Sequence, residues 1–139
     1  MEKTKVMIEF FICGGVKINP YEISKLLKIE PTLIRLRGED IKGFSHKWKD
    51  NHWELNTGYK NSYDINKQIL TLYNKLKDKK DIIKSILENK TAYGKFMIVV
   101  NVEQGQFPAM YFKKEFIEFL AYTGVEVGFD MYFFSDAPD

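Results

Sequence analysis

The chain has 139 residues, of which 45% are hydrophobic and 29% charged, a composition typical of one soluble globular domain with its own core. The formal net charge of +2 is too small to favour a nucleic-acid or membrane-surface protein, and no apolar run approaches the length that spans a bilayer. Cys13 is the single cysteine, so no disulfide can form within the chain. We therefore expect one domain over residues 1–139, in a reducing, cytoplasmic setting.

The first 27 residues predict a buried strand followed by a capped helix. Residues 6–13 carry apolar side chains at both alternating sets of positions, which is the pattern of a strand covered on both faces. Asn19 is expected to be the N-cap and Pro20 the first helical residue, because the missing proline N–H would be unbonded there anyway. Ile18 and Ile23 occupy the two positions of a hydrophobic staple.

Two short strands and a long loop are predicted next. Pro31 disfavours helical geometry at the residue before it, so the helix ends there, and residues 33–37 alternate as a short strand. Residues 38–51 have no periodicity and form a longer connection than most, which indicates a loop that moves or covers another part of the protein. Residues 52–56 alternate again, with Trp53 directed inward.

The periodicity of the second half of the chain predicts three helices and two strands, with a charged break after the first of these three helices. Gly124 is placed to end the last helix in a left-handed conformation. The elements are, in order, a helix at 61–76, a second helix capped by Asp81, a strand at 96–102, a helix at 111–122 and a strand at 125–134.

This order of elements, β-α-β-β-α-α-β-α-β, predicts an α+β domain with helices layered on a mixed or antiparallel sheet of about five strands. The specific expectation is a ferredoxin-like core with an added helix and strand at the C-terminus. Because three strands carry apolar residues on both faces, the second face of the sheet is not expected to be fully wet. The loop at 38–51 or a second copy of the protein would cover it.

Several short motifs resemble one family, and they keep its order along nearly the whole chain. They are Asn19-Pro20-x-Glu22-Ile23-Ser24-x-x-Leu27-x-Ile29-x-Pro31-Thr32, Arg37-Gly38, Trp53-x-Leu55, Phe119-Leu120-Ala121-x-x-Gly124-Val125 and Asp130-x-Tyr132. The series resembles the bacterial family filed as domain of unknown function 4279. That family has no agreed activity, cofactor or catalytic residues, so the resemblance implies a small free-standing bacterial domain and leaves the function open.

Six side chains are candidate binding residues. Arginine recognises planar anions better than lysine does, a carboxylate in the middle of a strand is costly to bury unpaired, and tryptophan and tyrosine are enriched at binding hot spots. Each has an ordinary alternative: an ion pair or an exposed strand face for the acid, and core packing for the aromatic rings. The candidates are Arg35, Arg37, Trp48, Trp53, Asp130 and Tyr132.

No catalytic or metal-ligating set stands out. His46 and His52 have no cysteine partners and no His-Glu-x-x-His spacing, so neither a metal nor a cofactor is expected. Gly14-Gly15 lacks the lysine and hydroxyl of a phosphate-binding loop and indicates a tight turn.

Three functions remain open. The first is a non-enzymatic binding or protein-interaction module, immunity- or regulator-like, whose partner is a protein or a small ligand and which could be a homodimer. The alternative is a small enzyme with Asp130 and Arg37 in one cleft. A second alternative is nucleic-acid binding through residues 22–37 as a helix-turn-helix, which is disfavoured because Gly38 ends the second element too early for a recognition helix.

Overall fold

The computed structural model describes residues 3–14, 17–89 and 91–134. Most of the turn predicted at Gly14-Gly15 and the polar tail 135–139 lie outside them. The strands are β1 Lys5–Gly14, β2 Leu33–Arg35, β3 Asn51–Asn56, β4 Lys60–Asn61, β5 Tyr93–Glu103 and β6 Glu126–Phe134. The helices are α1 Pro20–Leu27, α2 Ile65–Leu76, α3 Lys80–Asn89 and α4 Lys114–Thr123, with a short 3₁₀ helix, Lys77–Lys79, between α2 and α3.

The strands form one sheet in the order β2-β3-β1-β5-β6, and the short β4 pairs with the start of β1. β1 is antiparallel to both of its long neighbours, β2 is antiparallel to β3, and β5 is parallel to β6. The order β2-β3-β1-β5 is that of a ferredoxin-like sheet, and α4 crosses over to add β6 at its edge. The predicted α+β class, with an added helix and strand, is confirmed.

The helices cover one face of the sheet. Along β1, Val6, Ile8, Phe10 and Ile12 are completely buried and form the core with the apolar sides of the helices. The intervening side chains, such as Glu9, point to the other face and are half-buried. We call this other face the open face. β1 therefore lies inside the sheet as predicted, but within the described residues no second layer of helices covers its other side.

The start of the chain follows its local signals closely. The Asn19 side chain accepts a hydrogen bond of 3.0 Å from the backbone N–H of Tyr21, and Pro20 begins α1. Ile18 and Ile23 are both buried, as a hydrophobic staple requires. The predicted N-cap and helix start are confirmed.

Three helix boundaries differ from the prediction, and one of them is the start of α4, at Lys114 instead of residue 111. α2 begins at Ile65, capped by Asp64, because Lys60–Asn61 pairs with β1 instead of joining the helix. The prediction that Asp81 caps a separate helix is wrong, since the chain remains helical through Lys77–Lys79 and Asp81 lies in the first turn of α3. There its carboxylate accepts a hydrogen bond from the hydroxyl of Tyr122.

The segment proposed as a recognition helix is a strand. Lys28 adopts a left-handed conformation after α1, and Leu33–Arg35 pairs with β3 through residues 52–54. A helix-turn-helix reader needs a second helix that fits the major groove. The described structure of residues 22–37 does not provide one.

Substituting Trp53 with alanine is expected to lower the free energy of unfolding by about 3 to 5 kcal/mol, the range for a large buried aromatic side chain. Trp53 is completely buried, packs edge-to-face against Phe10, and donates a 2.9 Å hydrogen bond from Nε1 to Ser24 Oγ. Urea denaturation followed by circular dichroism measures the change. Trp48→Ala is the matched control and should cost much less, since Trp48 is only half-buried in a loop. Equal losses in both variants would contradict this account of the core.

Candidate functional site

At the centre of the open face lies a buried carboxylate, Glu54 on β3, with a side chain only 3% exposed. Both oxygens are hydrogen-bonded: His52 Nε2 lies 2.8 Å from Oε1, and Asn56 Nδ2 donates to Oε2 at 2.8 Å. Residues two apart on a strand share a face, which is why these three side chains meet. Burial alone would raise the pKa of Glu54, but the hydrogen bonds from His52 and Asn56 outweigh it and hold the pKa below its ordinary value.

Glu9 lies beside Glu54 on the neighbouring strand. In the β1–β3 register Glu9 pairs with Asn56, one step along the same face from Glu54. Burial, the negative charge of Glu54 and a hydrogen bond to its carboxylate raise the pKa of Glu9 to about 7, while Arg35 opposes the shift. Below about pH 7 Glu9 is therefore protonated while the neighbouring Glu54 is ionised.

Asp130 and Tyr132 lie together on the same face, on the edge strand β6. The Tyr132 hydroxyl donates a hydrogen bond of 2.9 Å to Asp130 Oδ2, and this bond raises the pKa of the tyrosine. Asp130 pairs with Val99 across the parallel ladder and contributes to the negative potential at Glu9. The predicted common face of Asp130 and Tyr132 is thus present in the structure.

Arg35 and Trp48 meet at the opposite edge of the sheet. The guanidinium carbon of Arg35, on β2, lies 4.4 Å from the centre of the Trp48 ring, a cation–π contact. Backbone hydrogen bonds of 2.9 Å join Trp48 to Gly38 and Glu39 and close the loop on itself. The cation–π contact between Arg35 and Trp48 holds the base of the 38–51 loop beside the open face.

A cavity of about 400 Å³ lies between this loop and the open face. Its floor includes Phe11, whose ring stacks on His52 at 4.9 Å between centres, and the buried thiol of Cys13. Burial raises the pKa of Cys13, so this thiol is not activated as a nucleophile. The full lining is Phe11, Cys13, Ile41, His46, Lys47, Trp48, Lys49, Asp50, His52 and Tyr93.

The remaining candidates are spread out. Arg37 is exposed beyond the end of β2, where its backbone N–H donates a 2.7 Å hydrogen bond to Asn51 Oδ1, and Trp53 faces the core. Asp130 and Arg35 occupy opposite edge strands, with β3, β1 and β5 between them. The structure therefore brings together Asp130 with Tyr132 and Arg35 with Trp48, and it separates the two pairs.

A larger cavity, of about 640 Å³, lies on the helical side between α4 and the junction of α2 and α3. Its polar groups are engaged with each other: Tyr122 donates to Asp81, and the ammonium groups of Lys80 and Lys84 lie 4.9 and 4.6 Å from the Tyr122 ring centre. We interpret it as a gap in helix packing, because Tyr122 and Asp81 on its wall are bonded to each other and the ring of Tyr122 is covered by lysine side chains.

In residues 3–14, 17–89 and 91–134, no three His, Cys, Asp or Glu side chains come close enough to hold a metal ion. None of the helices in these ranges is long and apolar enough to cross a membrane.

Comparison with known proteins identifies the family. The sequence matches the family described as domain of unknown function (DUF4279) over residues 2–134. The chain belongs to the DUF4279 family. Searches of curated proteins and of solved structures returned no significant match. The predicted resemblance is confirmed, and DUF4279 membership does not assign an activity or a ligand to the open face.

Sequence reasoning missed the central pair of this DUF4279 domain, Glu9 and Glu54. The signal was present, because each acid interrupts an apolar strand, at the position that alternates away from the core. What the sequence lacks is the pairing of β1 with β3, which brings the two carboxyl groups together.

Glu9→Gln is expected to stabilise the protein at pH 8 by about 1 kcal/mol, after allowance for solvent screening, and to have little effect at pH 5. The folded-state pKa of Glu9 lies above the unfolded value, so the folded protein holds an extra proton between about pH 5 and pH 7. Stability that depends on this proton is lost as the pH rises through 7. A glutamine amide still donates to Glu54 and carries no charge to bury.

The measurement is urea denaturation of both proteins at pH 5 and pH 8. Glu39→Gln, an exposed acid in the 38–51 loop, is the control and should behave as the wild type at both pH values. If Glu9→Gln changes stability equally at the two pH values, Glu9 does not carry the proton in the folded state.

Proposed function

We propose that this domain is a non-enzymatic binding module whose binding surface is the open face of its sheet. The observation that supports it most is the Glu9–Glu54 pair, a partly desolvated acidic group at the centre of a face over which none of the described helices lies. The partner is a protein or a small ligand that offers a positively charged group beside an apolar one.

The apolar part of this surface supports a binding role. Met7, Phe11 and Met97 surround the carboxyl pair and are half-buried, so they keep apolar area in contact with water. Apolar surface with a few convergent polar groups is the usual composition of a ligand site. The adjoining cavity adds the ring of Trp48 as a wall.

The charge of the partner follows from the hydrogen-bonding groups. A carboxylate only accepts hydrogen bonds, and the donors nearest the pair, His52 and Asn56, are already used by Glu54. An ammonium or guanidinium group placed at Glu9 would supply donors and favour the ionised acid. The cost of ionising Glu9 near neutral pH would then be met by the partner.

The enzymatic alternative receives less support from the same geometry. It requires Asp130 and Arg37 in one cleft, and Arg37 lies beyond the end of β2, on the far side of the sheet from β6. Catalysis by paired groups needs them within hydrogen-bond reach of one substrate.

The proposal is tested by NMR titration of the ¹⁵N-labelled protein with two capped tripeptides, Trp-Arg-Trp and Trp-Glu-Trp. We expect the cationic peptide to shift the amide signals of β1, β3 and β6 around Glu9 and Asp130. Its affinity should rise roughly tenfold from pH 6 to pH 8, because Glu9 ionises over this interval.

Glu9→Gln should abolish this pH dependence, while Glu118→Gln, an exposed acid on α4, should keep it. Failure of the cationic peptide to bind at millimolar concentration, equal binding of both peptides, or shifts confined to the helices would each refute a cation-binding open face.

A further inference from the structure

We propose that two copies of the domain pair through the outer edge of β6, about a two-fold axis, and form one continuous sheet. The occupant of this edge is a second copy of the same chain. The inference rests on the backbone and side chains of β6 and does not depend on the proposed binding function.

The two edges of the sheet are built differently. β2 has three residues, and very short edge strands are one way to prevent further pairing. β6 has nine residues, and within the described part of the chain it pairs with β5 alone. Lysine, proline and bulges also protect edges, but residues 126–134 contain no lysine or proline and keep an unbroken register with β5.

The outward backbone groups of β6 can be identified from its pairing with β5. The carbonyl of Phe134 accepts a 2.9 Å hydrogen bond from the N–H of Gln104, so Phe134 directs its backbone groups toward β5. In a parallel ladder these groups alternate along the strand between its two sides. Phe129, Met131 and Phe133 therefore present N–H and C=O groups to the outer edge.

In a dimer whose two-fold axis passes through Met131, all of these backbone groups form hydrogen bonds between the two copies. This axis places Met131 opposite itself and Phe129 opposite Phe133 of the second copy, and each of these is a hydrogen-bonded pair. Six residues supply the groups, and the ladder gains about six hydrogen bonds. The Phe129–Phe133 pairs on the helical side are aromatic cross-strand pairs, which stabilise antiparallel sheets.

The side chains on the open face are also complementary in this register. Asp130 lies opposite Tyr132 of the second copy, so each carboxylate faces a phenol instead of another carboxylate, and the Tyr132 hydroxyl can exchange its bond to Asp130 of its own chain for one across the axis. Gly128 lies opposite Phe134 of the second copy, beside the Lys95 side chain, which covers Gly128. An aromatic ring packed on the lysine side chain above this glycine gains apolar contact and a cation–π contact.

The neighbouring register is less favourable. An axis at Asp130 sets two carboxylates directly opposite each other, and like charges in that position destabilise a sheet. An axis at Tyr132 leaves only residues 130–134 paired within the described part of the strand. The sequence of β6 is therefore self-complementary about Met131.

The exposed aromatic side chains of β6 match this interface. Phe133 is 65% exposed, and Phe129, Tyr132 and Phe134 are each close to half exposed. Four large exposed aromatic side chains within six residues form an unusual concentration for a free edge. Pairing would also join the two open faces at Asp130 and Tyr132.

Sedimentation equilibrium over a range of protein concentrations tests the dimer. We expect a reversible dimer and a dissociation constant raised at least about tenfold by Phe133→Lys, which places a charge at both symmetric pairs. Phe44→Lys is the matched control, since Phe44 is 66% exposed in the 38–51 loop and away from β6. It should dimerise as the wild type, with circular dichroism confirming that both variants fold.

Cysteine cross-linking tests the register. Met131→Cys places one thiol of each copy on the axis, so mild oxidation should give a covalent dimer faster than Tyr132→Cys, and Phe44→Cys should give none. The native Cys13 is buried and does not compete. A wild-type monomer at millimolar concentration, equal dimerisation of Phe133→Lys and Phe44→Lys, or faster cross-linking at Tyr132 would overturn the proposed pairing.

Discussion

The complete burial of alternate side chains along β1 is the constraint on which the rest of the structure depends. Val6, Ile8, Phe10 and Ile12 face the helices and have no exposed surface. Because side chains alternate with a period of two, a shift of one residue would bring Glu9 into the core and expose four apolar side chains. The hydrophobic effect on one face therefore determines which residues the open face presents.

This constraint explains how an acidic pair lies in the middle of an open sheet. The neighbouring strands and side chains exclude water from Glu54, although none of the four helices described lies over it, so its charge needs hydrogen bonds from its own strand. Those bonds hold Glu54 ionised and leave Glu9 to retain the proton. The chemistry of the open face thus results from unequal hydrogen bonding of two similar groups.

The features that could be predicted from the sequence are those that depend on neighbouring residues. The Asn19 cap and the left-handed Gly124 each act within a few residues, and both predictions are confirmed. β1 was predicted to be covered on both faces, but only its helical face is fully buried. Pairings between distant segments could not be predicted, which is why β4 and the contact of Glu9 with Glu54 were missed. The six candidate residues were chosen by residue type, but only the strand order reveals that Arg35 and Asp130 lie at opposite edges.

The two edges show how the added C-terminal unit changes the ferredoxin-like sheet. Without α4 and β6, β5 would be an edge strand, yet Ile98, Val100 and Val102 are fully or nearly fully buried along it. The parallel crossover places β6 against the outer side of β5, so that β6 becomes the edge strand of the sheet. The side chains of β6 are exposed or half-exposed. The extra unit therefore completes the core and at the same time creates a long edge next to the open face. A surface of this kind follows from the topology alone, because each strand that covers an edge presents a new one.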